Sequence, residues 1–333
     1  MQTFLTPDPI TLEIRNASGN IQIVLTDTTT TTVDVSASTS HPLGFLDDVF
    51  SAIGVGRSSG GRPAGGWAGR LESLGRGRPF GGGLFGEQHA NDQPAEDGPT
   101  GPATDRSGAA PTRDDLVESV RVEHRDTDKP SVLIDTDSAR DGWRSSFDII
   151  VTAPNGSNIR IQSQSSDVTV SGPAGIVDVR SASGDVQLDE TSGKTLVQTA
   201  SGKIRLAAAG SEVDFRTASG DVEVGPVGGD ALVHTTSGSI KVGAVAGNIS
   251  ARSVSGDVRV ADATSGSAEV NAVSGDVEIG VHAGSLASIN LSTVSGSTDT
   301  DFAVAGEAPE GDAPVLEITV KTTSGDIRLR RAA

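Results

Sequence analysis

Six aspartates in the second half of the chain stand directly after a small turn residue: Asp167, Asp185, Asp221, Asp257, Asp276 and Asp326. If the turns stack, their carboxylates form a column with a spacing of about 5 Å. Hard cations such as calcium are held by several oxygens of this kind. The column is broken by Lys203 and Ser239, and the calcium-binding pattern G-G-x-G-x-D is absent. Turn chemistry needs no ion, because an aspartate in a turn accepts hydrogen bonds from nearby backbone N–H groups. We adopt that reading and expect no metal site.

Two further columns share the same spacing. Four residues before each turn glycine stand Arg180, Gln198, Arg216, His234, Arg252, Asn271 and, in the last copy, Lys321. This outward stripe has the chemistry to recognise sugars or anionic polymers; a solvated face that wards off other sheets is the plainer alternative and the one adopted. Three residues before each glycine stand Ser181, Thr199, Thr217, Thr235, Ser253, Thr293 and Thr322. Their parity matches Val179, Val197 and Phe215, so they are expected to form an internal hydroxyl ladder.

Catalytic motifs fail on inspection. Gly193-Lys194-Thr195 imitates the end of a phosphate-binding loop, but Leu188 stands where the first glycine belongs. Gly54-x-Gly56 lies in a low-complexity stretch instead of between a strand and a helix. His41, His89, His124, His234 and His282 show no metal-ligand spacing. Polysaccharide-cleaving β-helices usually display long loops around a cleft with paired carboxylates, and the minimal copies from Gly184 to Gly256 leave little room for a cleft. The expectation is no enzyme, no catalytic residue, no cofactor and no metal.

The elements that position these columns follow from the repeat. The turn glycines are Gly184, Gly202, Gly220, Gly238, Gly256, Gly275, Gly296 and Gly325, at spacings of 18, 18, 18, 18, 19, 21 and 29. Ser166 stands 18 residues before Gly184, and Ala17-Ser18-Gly19-Asn20-Ile21 repeats the motif near the start. Two and four residues after each glycine come apolar pairs such as Val186/Leu188, Ile204/Leu206 and Val222/Val224; seven and five residues before come pairs such as Val177/Val179 and Val213/Phe215. Each copy therefore holds two short strands of period two. Such strands bury their apolar faces only when copies stack around a shared narrow core. The fold class read from this is all-β: a β-solenoid of about 18-residue rungs with two short strands per rung.

Composition agrees. Aromatics make up 3% of the 333 residues, too few for a wide core, and there is no cysteine, which excludes disulfide scaffolds and thiol chemistry. Twenty-six Lys and Arg against 44 Asp and Glu give a net charge of −18, so no nucleic-acid partner is expected. No apolar run is long enough for a transmembrane segment and the first residues lack a signal-peptide pattern, so the expected compartment is the cytoplasm.

The domain reading is threefold. Residues 1–40 are the opening strands and N-terminal edge of the solenoid, with Pro7 and Pro9 blunting the first edge. Residues 41–115 are a Gly/Pro/Arg-rich insertion expected to be disordered, with five Arg against one Glu over 57–86. Residues 116–333 carry strand-like segments and then the repeats: regular rungs over 163–296, an interruption over 297–316 and a closing rung over 317–331. Arg328, Arg330 and Arg331 are expected at the last edge, where positive charge discourages end-to-end pairing. In the insertion, Phe45, Leu46, Val49, Phe50 and Ile53 share one face of a short helix, as do Trp67, Leu71 and Leu74. A loop folded back on the stack or capping its edge is the reading adopted; a recognition segment for a membrane surface or for an unknown protein or polymer partner, docking through residues 45–86, is the alternative.

The opening TPDPITLEI, the serial SGDV-type turns and the closing ITVKTTSGDIRLRR resemble the bacterial β-strand-repeat family known as putative adhesins, domain of unknown function 4097. The resemblance spans nearly the whole chain except residues 41–115. It implies a β-solenoid-like fold and no established catalytic residues. The expected role is a non-enzymatic binding or scaffold protein; the alternatives are an adhesin exported by a non-classical route, a self-assembling polymeric scaffold and a polysaccharide-active β-helix enzyme.

Overall fold

Aliphatic and β-branched residues at every second position give each repeat segment one apolar side, and Gly, Ser and Asp at its ends supply the turns. The computed structural model describes residues 1–38, 112–125, 129–137, 145–301 and 315–332. The expectations placed on the insertion, including the two short helices and the docking arm over residues 45–86, lie outside the described residues, as does most of 297–316.

The chain opens with β1 (Gln2–Leu5), the long β2 (Thr11–Thr26) and β3 (Thr30–Ser38). After the insertion come a helix α1 (Arg113–Glu118), then β4 (Arg121–Arg125), β5 (Ser131–Asp135), β6 (Ser146–Pro154) and the long β7 (Asn158–Ala174). The repeats follow as strand pairs: β8 (Val177–Ser183) and β9 (Val186–Thr191), β10 (Thr195–Ser201) and β11 (Ile204–Ala209), β12 (Val213–Ser219) and β13 (Val222–Val224), β14 (Ala231–Ser237) and β15 (Ile240–Val245), β16 (Ile249–Ser255) and β17 (Val258–Ala263), β18 (Ser267–Ser274) and β19 (Val277–Val281). The last pairs are β20 (Leu286–Ser295) with β21 (Thr298–Thr300), and β22 (Val315–Ser324) with β23 (Ile327–Arg331).

In each rung the first strand belongs to a leading wall and the second to a trailing wall, with the Ser-Gly corner between them. Along the leading wall β7, β8, β10, β12, β14, β16 and β18 pair in parallel; along the trailing wall β7, β9, β11, β13, β15, β17 and β19 do the same. The register is constant: Val177, Thr195, Val213, Ala231 and Ile249 occupy one slot in successive rungs. This is a β-solenoid. Its core is a file of aliphatic side chains, with Val179, Val197, Val233 and Ala251 fully buried and Phe215 among them. Among the described residues no helix is long and apolar enough to cross a membrane.

Both ends of the stack depart from chain order. β2 pairs in parallel with β5 and β6 on one side and with β7 on the other, so it is one rung inside the stack. The outer strands at this end are β4 and β1, which pair antiparallel with β5 and β3. The strand that follows Pro7 and Pro9 is therefore interior. A buried polar tie holds it there: the Asn16 amide donates to the Ser166 hydroxyl on β7 and to the Phe147 carbonyl, 3.1 Å each, and its oxygen accepts from the Thr136 hydroxyl at 2.8 Å.

At the other end β18 pairs with β22, and β22 pairs with β20; on the trailing wall β19 pairs with β23, and β23 with β21. The rung that closes the sequence thus lies between the two rungs that precede it, and the expectation that its arginines mark the last edge is corrected. The reason is core chemistry. β22 and β23 point Ile318, Val320, Ile327 and Leu329 inward, all buried. The rung of β20 and β21 places Thr298 and Thr300 opposite Ile327 and Leu329. A rung with hydroxyls in two core slots suits the wet end of a stack, where terminal repeats carry the polar outer side.

Helix α1 is a second correction, since a boundary at residue 115 cuts through it. Thr112 caps the helix: its hydroxyl accepts from the Asp115 N–H at 3.3 Å, and the Asp115 carboxylate accepts from the Thr112 N–H at 3.0 Å. This capping box is readable as T-x-x-D, but it sits at the end of a low-complexity stretch that hides it.

Candidate functional site

The corner aspartates act between rungs. Asp167 Oδ1 accepts from the Asp185 N–H at 2.9 Å, and Asp185 Oδ1 accepts from the Lys203 N–H at 2.8 Å. Asp221, Asp257 and Asp276 accept from Ser239, Asp276 and Asp326 in the same way, at 2.9–3.0 Å. Each side chain therefore clamps the backbone of the next rung. Asp326 accepts from both the N–H and the hydroxyl of Ser297, at 2.9 and 3.0 Å, and these hydrogen bonds hold its carboxyl below the ordinary value. Opposite corners use the same device: Asp230 Oδ1 accepts from the Asn248 N–H, and Asn248 Oδ1 from the Ser267 N–H. Among the described residues no three His, Cys, Asp or Glu side chains are grouped to hold a metal.

Most of the hydroxyl column lies inside, with Ser181 and Thr293 only half-buried. Thr199, Thr217, Thr235, Ser253 and Thr322 are buried. Thr199 and Ser181 donate to the carbonyls of Ser201 and Ser183, two residues along, at 2.9 and 2.6 Å. Gly193-Lys194-Thr195 forms an ordinary corner: Thr195 is buried and its hydroxyl donates to that of Thr191 at 2.7 Å. The histidines are scattered. His124 stacks against Phe4 with ring centroids 5.2 Å apart, and His282 pairs with Asp262 at 2.9 Å.

The outer surfaces of the two walls differ. On the trailing wall the file Gln187, Arg205, Glu223, Lys241, Arg259, Glu278 and Arg328 carries both signs, with Lys241 and Arg259 as like-charged neighbours. Arg205 reaches Glu223 at 3.5 Å, and Arg259 and Arg330 both reach Glu278 at 3.2 Å. Ala207, Gly225, Gly243 and Ala261 floor an open depression of about 680 Å³ beside this file. The glycines are forced by backbone contact: a Cβ on Gly225 would lie 1.8 Å from the Ala207 carbonyl oxygen.

On the leading wall Arg180, Gln198, Arg216, His234, Arg252 and Asn271 occupy one slot of successive rungs. The ion pairs here lie within a strand: Asp178 holds Arg180 at 3.4 Å, and Asp214 holds Arg216 through two hydrogen bonds of 3.0 Å. His234 is half-buried between Arg216 and Arg252; burial first, and then the charges of Arg252 and Arg216, push its pKa down. Arg180, Gln198, Arg216 and His234 border an open depression of about 530 Å³, floored in part by Ala200 and Ala218. The structure thus brings the sequence-read stripe together as one file.

No curated protein matches the sequence. Among solved structures, the chain is similar to one described as a putative adhesin from Bacteroides fragilis, at 11% identity and a TM-score of 0.41, covering 98% of this chain and 95% of that one. It is also similar to one described as a putative cell adhesion protein from Clostridium sporogenes, at 7% identity and a TM-score of 0.22, covering 99% and 98%. The sequence profile of Toastrack DUF4097 matches residues 146–330, which takes in β6 and every repeat rung through β23 but its last residue. With more than half of its length inside that match, the chain belongs to the Toastrack DUF4097 family.

Proposed function

We propose that the chain is a non-enzymatic binding scaffold that displays ordered files of side chains on a stiff stack. The observation that carries this reading is the constant register: an outward slot of one rung lies beside the same slot of the next, as in Arg180, Gln198, Arg216 and His234. A ligand with a repeating structure meets such a file as a series of equal contacts, and many weak contacts then add to useful affinity. The corner aspartates, whose carboxylates stand on successive rungs, accept backbone N–H groups of the next rung as clamps. The test offers the full chain a panel of immobilised proteins and linear polymers and analyses each retained polymer for cleavage. Retention with intact polymer is the expected result. Fragments or new chain ends would overturn the non-enzymatic reading.

A further inference from the structure

The leading-wall file has a period that the chain order conceals. Because β2 lies between β5 and β7, Arg15 stands beside Gln162, which in turn stands beside Arg180. Because β22 lies between β18 and β20, Lys321 stands beside Asn271. Read through space, the file carries Arg15, Arg180, Arg216, Arg252 and Lys321 on every second rung. The rungs between carry Gln162, Gln198, His234 and Asn271. The cations therefore recur about every 9.6 Å over about 38 Å.

Alternation on its own has a structural cause, since like charges on adjacent strands repel. On the trailing wall Glu223 separates Arg205 from Lys241 and Glu278 separates Arg259 from Arg328, while Lys241 and Arg259 stand side by side. The leading-wall file instead interposes neutral hydrogen-bonding side chains and holds no carboxylate between Arg15 and Lys321, in a chain of net charge −18. Glu13, Asp178 and Asp214 accompany the first three cations from within their own strands. In that position beside Arg252 and Lys321 stand Ser250 and Thr319, and among the described residues these two cations have no ion-pair partner.

We infer that this file binds an extended acidic polysaccharide that carries one carboxylate on every second sugar. An extended chain of equatorially linked pyranoses advances per sugar by nearly the spacing of neighbouring strands, so its disaccharide repeat keeps step with two rungs. Each carboxylate meets an Arg or Lys, and Gln162, Gln198, His234 and Asn271 face the hydroxyls and amides of the uncharged sugars between. The depression floored by Ala200 and Ala218 gives the polymer a ledge. A nucleic acid fits poorly, because its phosphates recur about every 3.4 Å along one strand.

The inference rests on the scaffold reading, and its test separates the two. The full chain is titrated with a polymer of alternating glucuronate and N-acetylglucosamine, with its carboxyl-reduced form, with polygalacturonate and with a single-stranded oligonucleotide. The alternating polymer binds and salt weakens it; the reduced form does not bind. Arg252→Gln weakens binding by about tenfold, the loss of one charge-assisted hydrogen bond. The decisive variant is Gln198→Arg combined with Arg216→Gln, which keeps the charge and moves one cation by one rung. It weakens binding at least as much, while Lys241→Gln on the trailing wall leaves it unchanged, all with unaltered thermal melts. Wild-type affinity in the register-shifted variant overturns the inference, as does equal or tighter binding of polygalacturonate or the oligonucleotide. In those cases the scaffold reading stands. Cleavage of the bound polymer would overturn that reading while leaving the site in place.

Discussion

Two residue types hold the corners, and each has a measurable signature. A Cβ on Gly202 would lie 2.1 Å from the Gly184 carbonyl oxygen, at a φ of +125°. Gly202→Ala is expected to destabilise by at least about 3 kcal/mol. Gly284 shares a positive φ of +91° but has nothing within 4 Å of its Cβ position, so Gly284→Ala should cost only about 1–2 kcal/mol; denaturant titration of the pair separates close approach from backbone conformation. Val222 is fully buried between Ile204 and Ile240, and Val222→Asp buries an unpaired charge at a cost of at least about 4 kcal/mol. Its neighbour Glu223 points outward, and Glu223→Lys should stay within about 1 kcal/mol in the same thermal melts. Asp326 makes a pH prediction. Its folded carboxyl is held below the ordinary value by Ser297, so its contribution is present above the usual carboxylate range and is lost as pH falls through the depressed folded value. Asp326→Asn keeps the accepting oxygen and removes the titration, so the acid limb of the stability–pH curve should flatten below about pH 4. These roles were half legible. The sequence marks Asp and Gly as turn residues, but that each aspartate grips the following rung is a fact of stacking, which no single turn reveals.

At the scale of the element, the rung is the unit of change. Removing residues 205–222 takes out one 18-residue period and joins Ile204 to Glu223 with every side chain on its proper face. The shortened chain should keep a β-rich circular dichroism spectrum and a cooperative melt, somewhat lowered because one interface is gone. Removing residues 205–221 instead turns Glu223 into the core, and a one-residue slip inverts a whole strand; loss of the cooperative transition is expected. Strand existence, parity and the 18-residue step were all legible, because burial on one side forces alternation and stacking forces a fixed length. Helix α1 was not, since Thr112 and Asp115 adjoin a Gly/Pro-rich stretch whose composition dominates any window. The order of the last two rungs was also hidden. The signal was present in Thr298 and Thr300, which occupy slots where other rungs carry Val, Ile or Leu. Weighing core quality rung by rung would have placed that copy at the end.

For the whole molecule the two re-ordered ends matter most. They set Arg15 and Lys321 into the leading-wall file with the same parity as Arg180, Arg216 and Arg252, so the surface regularity is a product of topology as well as of repetition. They also dictate how the chain can assemble. Strands β8 to β19 can zip neighbour on neighbour as a ribosome releases them, each docking on a surface already formed. β2 has no such luxury: its partners β5, β6 and β7 all arrive more than one hundred residues later in synthesis. β20 and β21 likewise have no resting place until β22 and β23 have slipped in against β18 and β19. Long-range pairing of this kind slows folding, so the nascent coil is expected to form from its middle with both extremities fastened last, an order that pulse-labelled amide exchange during refolding would read.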